Sequence, residues 1–312
     1  NSPHLSSQLL TEVSMTHTSP IAILLCAGQG SRMHDNRTHK VCYEIAGIPA
    51  IRRSLSHFRR AGVERFLVVV GYKAALVMDC LSGEPGVQFA FQAEQKGTGH
   101  ATLCALEFLE KTGYEGLVIV AMGDKLIAPR VIRDLIEKAR NNRKKVVFAV
   151  QPKAYNPSGG RIVMKNGRVY GIYEMMDSYL LSLSGCRSLE EIRTAVDTMP
   201  LNPKKKELLL SKATNMAIIP SSVSLAGEFF THTEIESTPF VNTATYLFDT
   251  TSLKTALEQV DDDNAQGEIY LTDGVNRLSM DGGCDIVPLE DQMEMLSFST
   301  LEDIETISDY YR

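Results

Sequence analysis

Residues 24–40, LLCAGQGSRMHDNRTHK, hold a glycine-rich loop that carries Arg32 and is followed by Lys40. Gly28 and Gly30 let backbone N–H groups close on an oxyanion, whose charge guanidinium and ammonium groups then neutralise. That composition suits a polyphosphate. The two familiar phosphate loops do not fit. A P-loop needs Lys-Ser/Thr directly after its last glycine, and here Gly30 is followed by Ser31 and Arg32. A dinucleotide fingerprint needs a small residue where Met33 stands, and no acidic residue closes a second strand as a ribose clamp would. A plain tight turn between strand and helix is the competing reading.

The elements that must hold this loop alternate. An apolar run from Ile21 reads as a buried strand. Ile51, Leu55 and Phe58 then fall at helical spacing, with Pro49 before them and Gly62 as a stop. Strands are expected at 66–70, 87–91, 117–122 and 146–150, with helices at 100–111 and 129–141. Continuous apolar strands separated by helices indicate an α/β fold with a doubly wound, mostly parallel sheet, whose ligands sit at the strands' carboxyl ends. After residue 150 the pattern changes. Asn166-Gly167 between 161–165 and 168–172 marks a hairpin. Helical pieces at 189–196 and 204–212 follow, the latter opening with a basic run read as a solvated face. A strand at 243–248, a helix at 252–260 and a capped terminal helix after Thr300 complete the reading.

The chain has 312 residues, 44% hydrophobic and 22% charged, with a formal net charge of −6. That charge gives no reason to expect nucleic acid or an anionic membrane as partner. The six cysteines are scattered without a CxxC pair, so disulfides and zinc are not expected and a reducing compartment is. No apolar stretch reaches the ~18 residues of a membrane span, and the expected localisation is cytoplasmic. Residues 1–19 read as a tail, 20–150 as a nucleotide-binding part, and 151–312 as a substrate-side part with an inserted lobe at 178–240.

Four more segments fall into order with the first: Gln92-Ala-Glu-Gln-Lys-Gly-Thr-Gly-His100-Ala101, Met122-Gly-Asp124, Gly159-Gly-Arg-Ile with Gly171-Ile-Tyr-Glu174, and Val241-Asn242-Thr243 with 264–273. Together they resemble the sugar-1-phosphate nucleotidyltransferase family, above all its N-acetylglucosamine-1-phosphate uridylyltransferases. The resemblance covers about 21–177 and 241 onward. It implies Mg²⁺-dependent transfer from an NTP, UTP first, to a sugar-1-phosphate such as N-acetylglucosamine-1-phosphate, releasing pyrophosphate. Leu25, Ala27, Gly28, Gly30 and Ser31 match the family's base and phosphate loop, with Arg32 and Lys40 as its catalytic cations. Gln92, Gln95, Gly97 and Thr98 match the segment that reads the base. Asp124 matches the metal-holding aspartate, and Gly160, Glu174, Asn242, Tyr270 and Thr272 match residues around the sugar phosphate.

Taken singly, these residues have plainer readings. Asp124 would be a turn residue, Glu174 a solvated strand end, and Tyr270 and Thr272 strand residues without a ligand. His100 reads as structural, and Lys96 and Lys125 as solvated. The chain departs from the family in four places. His39 stands where a proline precedes the lysine. Ala244 replaces a glycine and is expected to crowd the sugar pocket. Ser299 stands in for an asparagine that is the second metal ligand. The insertion 178–240 is placed to cover the sugar pocket or to build a homo-oligomer contact. Two other functions remain open: cytidylyl transfer to a phosphorylated alcohol such as phosphocholine, or a silent nucleotide-sugar sensor.

Overall fold

The computed structural model describes residues 19–30, 33, 38–142, 144–280 and 282–312. Among these, nine strands form one sheet: β1 (Ile21–Cys26), β2 (Arg65–Val70), β3 (Val87–Phe91), β4 (Leu117–Met122), β5 (Val146–Pro152), β6 (Arg161–Lys165), β7 (Arg168–Tyr173), β8 (Phe240–Asp249) and β9 (Cys284–Pro288). The helices are α1 (Ala50–Arg60), α2 (Ala74–Cys80), α3 (Thr98–Lys111), α4 (Pro129–Asn142), α5 (Met175–Ser182), α6 (Leu189–Thr198), α7 (Pro203–Asn215), α8 (His232–Glu236), α9 (Thr250–Leu257), α10 (Leu271–Ser279) and α11 (Leu301–Tyr310).

Both faces of the sheet are covered. Ile21, Ile23 and Leu25 of β1 pack toward α3, α9 and α10, while Ala22, Leu24 and Cys26 pack toward α1, α2 and α4. A strand buried on both sides has no polar face to show, which is why β1, β2 and β4 read as unbroken apolar runs. Strands β3, β2, β1 and β4 are parallel neighbours in that order. The chain leaves β1 toward β2 and β3, then returns to β4 on the other flank. That reversal opens a crevice beyond the carboxyl ends of β1 and β4.

β8 is the element that periodicity understated. It runs antiparallel to β4 on one edge and to β5 on the other, and β9 extends β5 in parallel. Its register slips between Asn242 and Tyr246, and Ala244 sits in that bulge at φ +52°. A left-handed backbone costs an L-residue roughly 1–2 kcal/mol, so a glycine suits this position for backbone reasons.

Residues 175–215 fold into α5, α6 and α7 around Met176, Leu180, Ile192, Val196 and Leu209, joined by Ala265 from the later loop. A small hairpin (Ser222–Leu225 with Glu228–Thr231) and α8 follow, and neither was legible as a pattern. No helix among the described residues is long and apolar enough to cross a membrane.

Candidate active site

At the carboxyl edge of β1 and β4, a cavity of about 230 Å³ is lined by Leu25, Gly28, Gly30, Lys40, Asp124 and Ser299, among others. Each part arrives from a different element. Gly28 and Gly30 follow β1. Gly30 adopts φ +59°, and a Cβ there would lie 3.1 Å from the Lys40 Cβ, so only glycine lets the loop close over that side chain. Lys40 opens a 3-10 turn, Lys40–Cys42. Its ammonium forms an ion pair with the Asp124 carboxylate and lies 5.5 Å from the centre of the Phe298 ring. Asp124 stands just past β4, where Gly123 N–H donates to Leu25 O at 3.0 Å and carries the β1–β4 pairing one residue further. Ser299 comes from the far end of the chain. The short strand Lys125–Ile127 pairs antiparallel with Met295–Ser297, which delivers Ser299 to the same cavity and buries Phe298 beside Lys40.

His39, just before Lys40, ties the loop together by hydrogen bonding. Its Nε2 reaches Gly28 O at 3.1 Å, and its Nδ1 accepts from Val41 N–H at 3.3 Å. Both bonds together require the neutral ring protonated on Nε2. Burial pushes its pKa down, which favours that form. The ring thus ties the glycine loop to the turn that carries Lys40.

Lys125 departs from the expectation of a solvated side chain. It is half-buried, and burial pushes its ammonium pKa down against the attraction of Asp124. Lys96 is exposed as expected and pairs with Glu94 at 2.6 Å. His100 is structural, its Nδ1 lying 3.0 Å from the Gln92 amide nitrogen.

The segment 92–99 closes one side of the crevice. Gln92 is buried and its amide also donates to Gly97 O at 3.2 Å. Gln95 reaches back toward Ala27 over Gly71. Thr98 Oγ1 accepts from Leu271 N–H at 3.2 Å, and Ile269 N–H donates to Lys96 O at 2.9 Å. This segment is therefore stitched onto 269–271, beside Tyr270 and Thr272.

Tyr270 and Thr272 are not strand residues: Tyr270 caps α10 and Thr272 lies in its first turn. The helix aims Thr272 Oγ1 at Glu174 Oε1, 3.0 Å away. Gly160 lies against the same carboxylate, and its carbonyl accepts from Asn242 N–H at 2.7 Å. The Asn242 side chain spans the bulge, donating to the Tyr246 hydroxyl at 2.6 Å and accepting from Ala244 N–H at 2.9 Å. The Tyr270 hydroxyl accepts from the Gln266 amide at 2.7 Å. Gly160, Glu174, Asn242 and Thr272 are thus one cluster, with Tyr270 beside it.

The plainer reading of Glu174 as a solvated strand end does not hold. Glu174 is half-buried, and burial pushes its carboxyl pKa up. Burial does the same to Asp177, and with Asp177 and Glu174 nearby it pushes Asp273 up to about 7. Neither acid was anticipated, because nothing in the spacing of Asp177 and Asp273 places them together. Ser31 and Arg32 lie outside the described residues.

The geometry can be set beside known proteins. The chain is 31% identical over 294 residues to the bifunctional protein GlmU of Clostridium tetani, and 28% identical over 290 residues to that of Clostridium perfringens. In both cases the match takes in 92% of this chain and 51% of the relative, so the chain spans about half their length. Among solved structures, it superposes on a chain assigned as a glucose-1-phosphate thymidylyltransferase from Bacillus anthracis with a TM-score of 0.65. Identity there is 16%, and the match covers 94% of this chain and 96% of that one. A UDP-glucose pyrophosphorylase complexed with UDP-glucose gives a TM-score of 0.64 at 14% identity, covering 94% of this chain and 98% of its own. At such identity these two show a shared fold, the α/β nucleotidyltransferase fold. The model of the MobA-like NTP transferase domain matches residues 22–228, about two thirds of the chain, and the chain belongs to that family.

Proposed function

We propose that this chain transfers a nucleotidyl group from an NTP, UTP first, to a sugar-1-phosphate such as N-acetylglucosamine-1-phosphate, releasing pyrophosphate. The observation that carries the reading is the Lys40–Asp124 pair in a glycine-lined cavity at the point where the strand order reverses. The relatives named GlmU, and a fold shared with a UDP-glucose pyrophosphorylase, support a nucleotide-sugar product.

A sugar phosphate oxygen is already anionic at neutral pH, so attack on the α-phosphorus needs no strong base. The new O–P bond forms as the α–β bridging P–O bond breaks. The obstacles are repulsion between two anions and charge building on the departing pyrophosphate, which positioned cations offset. Lys40 supplies one such charge and Arg32 a second, while the N–H groups of the Gly28–Gly30 loop hold the triphosphate. Asp124 would hold a hard divalent cation with the Ser299 hydroxyl beside it, a donor set that suits Mg²⁺ retaining several waters. Bound there, the cation would neutralise α-phosphate and pyrophosphate oxygens. Glu174, Asp177 and Asp273 favour hydroxyls over phosphate, so a sugar would lie with its hydroxyls toward them and its phosphate toward Lys40.

The same acidic cluster, flanked by Tyr173 and Tyr270, also suits a quaternary ammonium group. This favours phosphocholine with CTP as the second reading. Pyrophosphate release with Mg²⁺ across UTP, CTP, GTP, ATP and dTTP, each paired with sugar-1-phosphates or phosphocholine, separates the two. Strong release with UTP and a hexose phosphate is expected. Release only from CTP and phosphocholine selects the second reading, and silence with tight nucleotide-sugar binding overturns both.

A further inference from the structure

The turn that carries Lys40 ends on a thiol that faces a second thiol. Cys42 is the last residue of that turn, and Cys80 is the last residue of α2. The Cys42 thiol donates to Leu76 O at 3.6 Å, the carbonyl one helical turn before Cys80, which sets it beside the last turn of α2. Lys73 Nζ donates to Thr38 O at 3.3 Å, so turn and helix are already tied near both ends. Both cysteines are partly exposed and open to a small oxidant, whereas Cys26 behind them is buried. Among the described residues no group of three or more His, Cys, Asp or Glu is placed to hold a metal ion, which leaves the pair to dithiol chemistry.

We propose that Cys42 and Cys80 form a reversible disulfide in response to hydroperoxides and that this bond displaces Lys40 from its working position. The neighbouring Cys42 thiol pulls the Cys80 thiol pKa down, and so does the Arg52 guanidinium, whose Nε donates to Cys80 O at 2.7 Å. Cys80 is therefore the attacking sulfur. Its thiolate attacks one peroxide oxygen, the O–O bond breaks, and the other oxygen leaves as an alcohol or water after taking up a proton. The Cys80 sulfenic acid then meets the Cys42 sulfur. An S–S bond forms, the S–O bond breaks, and water leaves with the Cys42 proton. Two electrons pass from the dithiol to the peroxide, and a dithiol reductant reverses the change. A disulfide holds its sulfurs at ~2.0 Å, well inside non-bonded contact, so closure draws the turn toward α2. Lys40 lies two residues away in that turn. This second half of the proposal rests on the proposed role of Lys40 at the triphosphate.

The test treats the reduced full chain with hydrogen peroxide, blocks remaining thiols with an alkylating agent, and maps peptides by mass spectrometry. A Cys42–Cys80 crosslinked peptide is expected, removed by dithiothreitol and absent from Cys42→Ser and Cys80→Ser. Irreversible oxidation of Cys80 without a crosslink, or a crosslink to Cys26 instead, overturns the site. Binding of Mg·UTP and Mg·CTP is measured on the same samples. A loss of at least fivefold on oxidation, recovered with dithiothreitol and missing from Cys42→Ser, supports the control of Lys40, and unchanged binding overturns it. If the reduced chain binds neither nucleotide, the proposed function fails and with it the control of Lys40. The crosslinked peptide still decides the disulfide.

Discussion

In the proposed reaction Lys40 concentrates the chemistry, because its ammonium has few alternatives. It is largely buried, packs near the Phe298 ring and pairs with Asp124. Replacing it with alanine removes one positioned cation, and by analogy with oxyanion donors this costs about 2–4 kcal/mol of transition-state stabilisation, roughly 30- to 1,000-fold in kcat/KM. Steady-state kinetics with unfolding curves on the same variant check this, and a variant that loses stability but little rate would refute the assignment. Asp273 makes a pH prediction. Its folded pKa of about 7 lies above its ordinary value near 3.8. The folded chain therefore keeps a proton that the unfolded chain has lost, and this carboxyl reduces stability as pH rises from about 4 to 7. Asp273→Asn should gain stability relative to wild type at pH 8 and little at pH 4, as read by urea unfolding at both values. Both acids and cations were visible as residue types, but their state was not. Lys125 and Glu174 look like solvated charges in the sequence and become half-buried only because distant segments close over them.

At the scale of elements, a charged node at Glu236 helps hold the stretch after β7 to the sheet. Glu236 of α8 accepts from Arg161 Nε and Nη2 at 3.0 and 2.9 Å, from Lys153 Nζ at 3.0 Å and from Ser178 Oγ at 2.9 Å. These bonds join α8 and α5 to β5 and β6. Burial alone would raise the Glu236 carboxyl, but the hydrogen bonds from Arg161, Lys153 and Ser178 outweigh it and pull it to about 2. The stability it contributes is complete above the ordinary glutamate value of 4.5 and is lost as pH falls toward 2. Glu236→Ala leaves the Arg161 side chain, only 4% exposed, with two backbone carbonyls and no counter-charge. The expected loss is about 3 kcal/mol in urea unfolding at pH 7. A loss below about 1 kcal/mol would mean that apolar packing of the insert, not this node, holds it in place. The helices α6 and α7 were legible because Ser188 and Asn202 cap apolar-periodic runs. The hairpin at 222–231 was not, since only Leu225 and Phe230 of it are buried and the alternation is too short to register.

At the scale of the whole molecule, the two ends of the crevice are joined by the segment 92–99. Gly97 adopts φ +104°, and a Cβ there would lie 2.6 Å from Ile269 O. Gly97→Ala therefore combines backbone strain with a clash against a carbonyl that accepts from Gly99 N–H at 2.8 Å. Together these cost about 2–4 kcal/mol. The loss should appear as a lower Tm and as weaker nucleotide and sugar-phosphate binding together, because both sides meet at this contact. A variant that weakens only one ligand would show that the halves are not coupled here. The sequence by itself determined the alternating strands and helices, the doubly wound sheet, the glycine loop after β1 and the cap of the terminal helix at Thr300. Each of these depends on residues close in the chain, so local spacing and burial on both faces leave a readable pattern. The antiparallel course of β8, the bulge at Ala244, the arrival of Ser299 beside Asp124 and the meeting of Cys42 with Cys80 were decided only by tertiary structure. Those contacts join residues tens to hundreds of positions apart, and no local periodicity records which distant segment will pack against which.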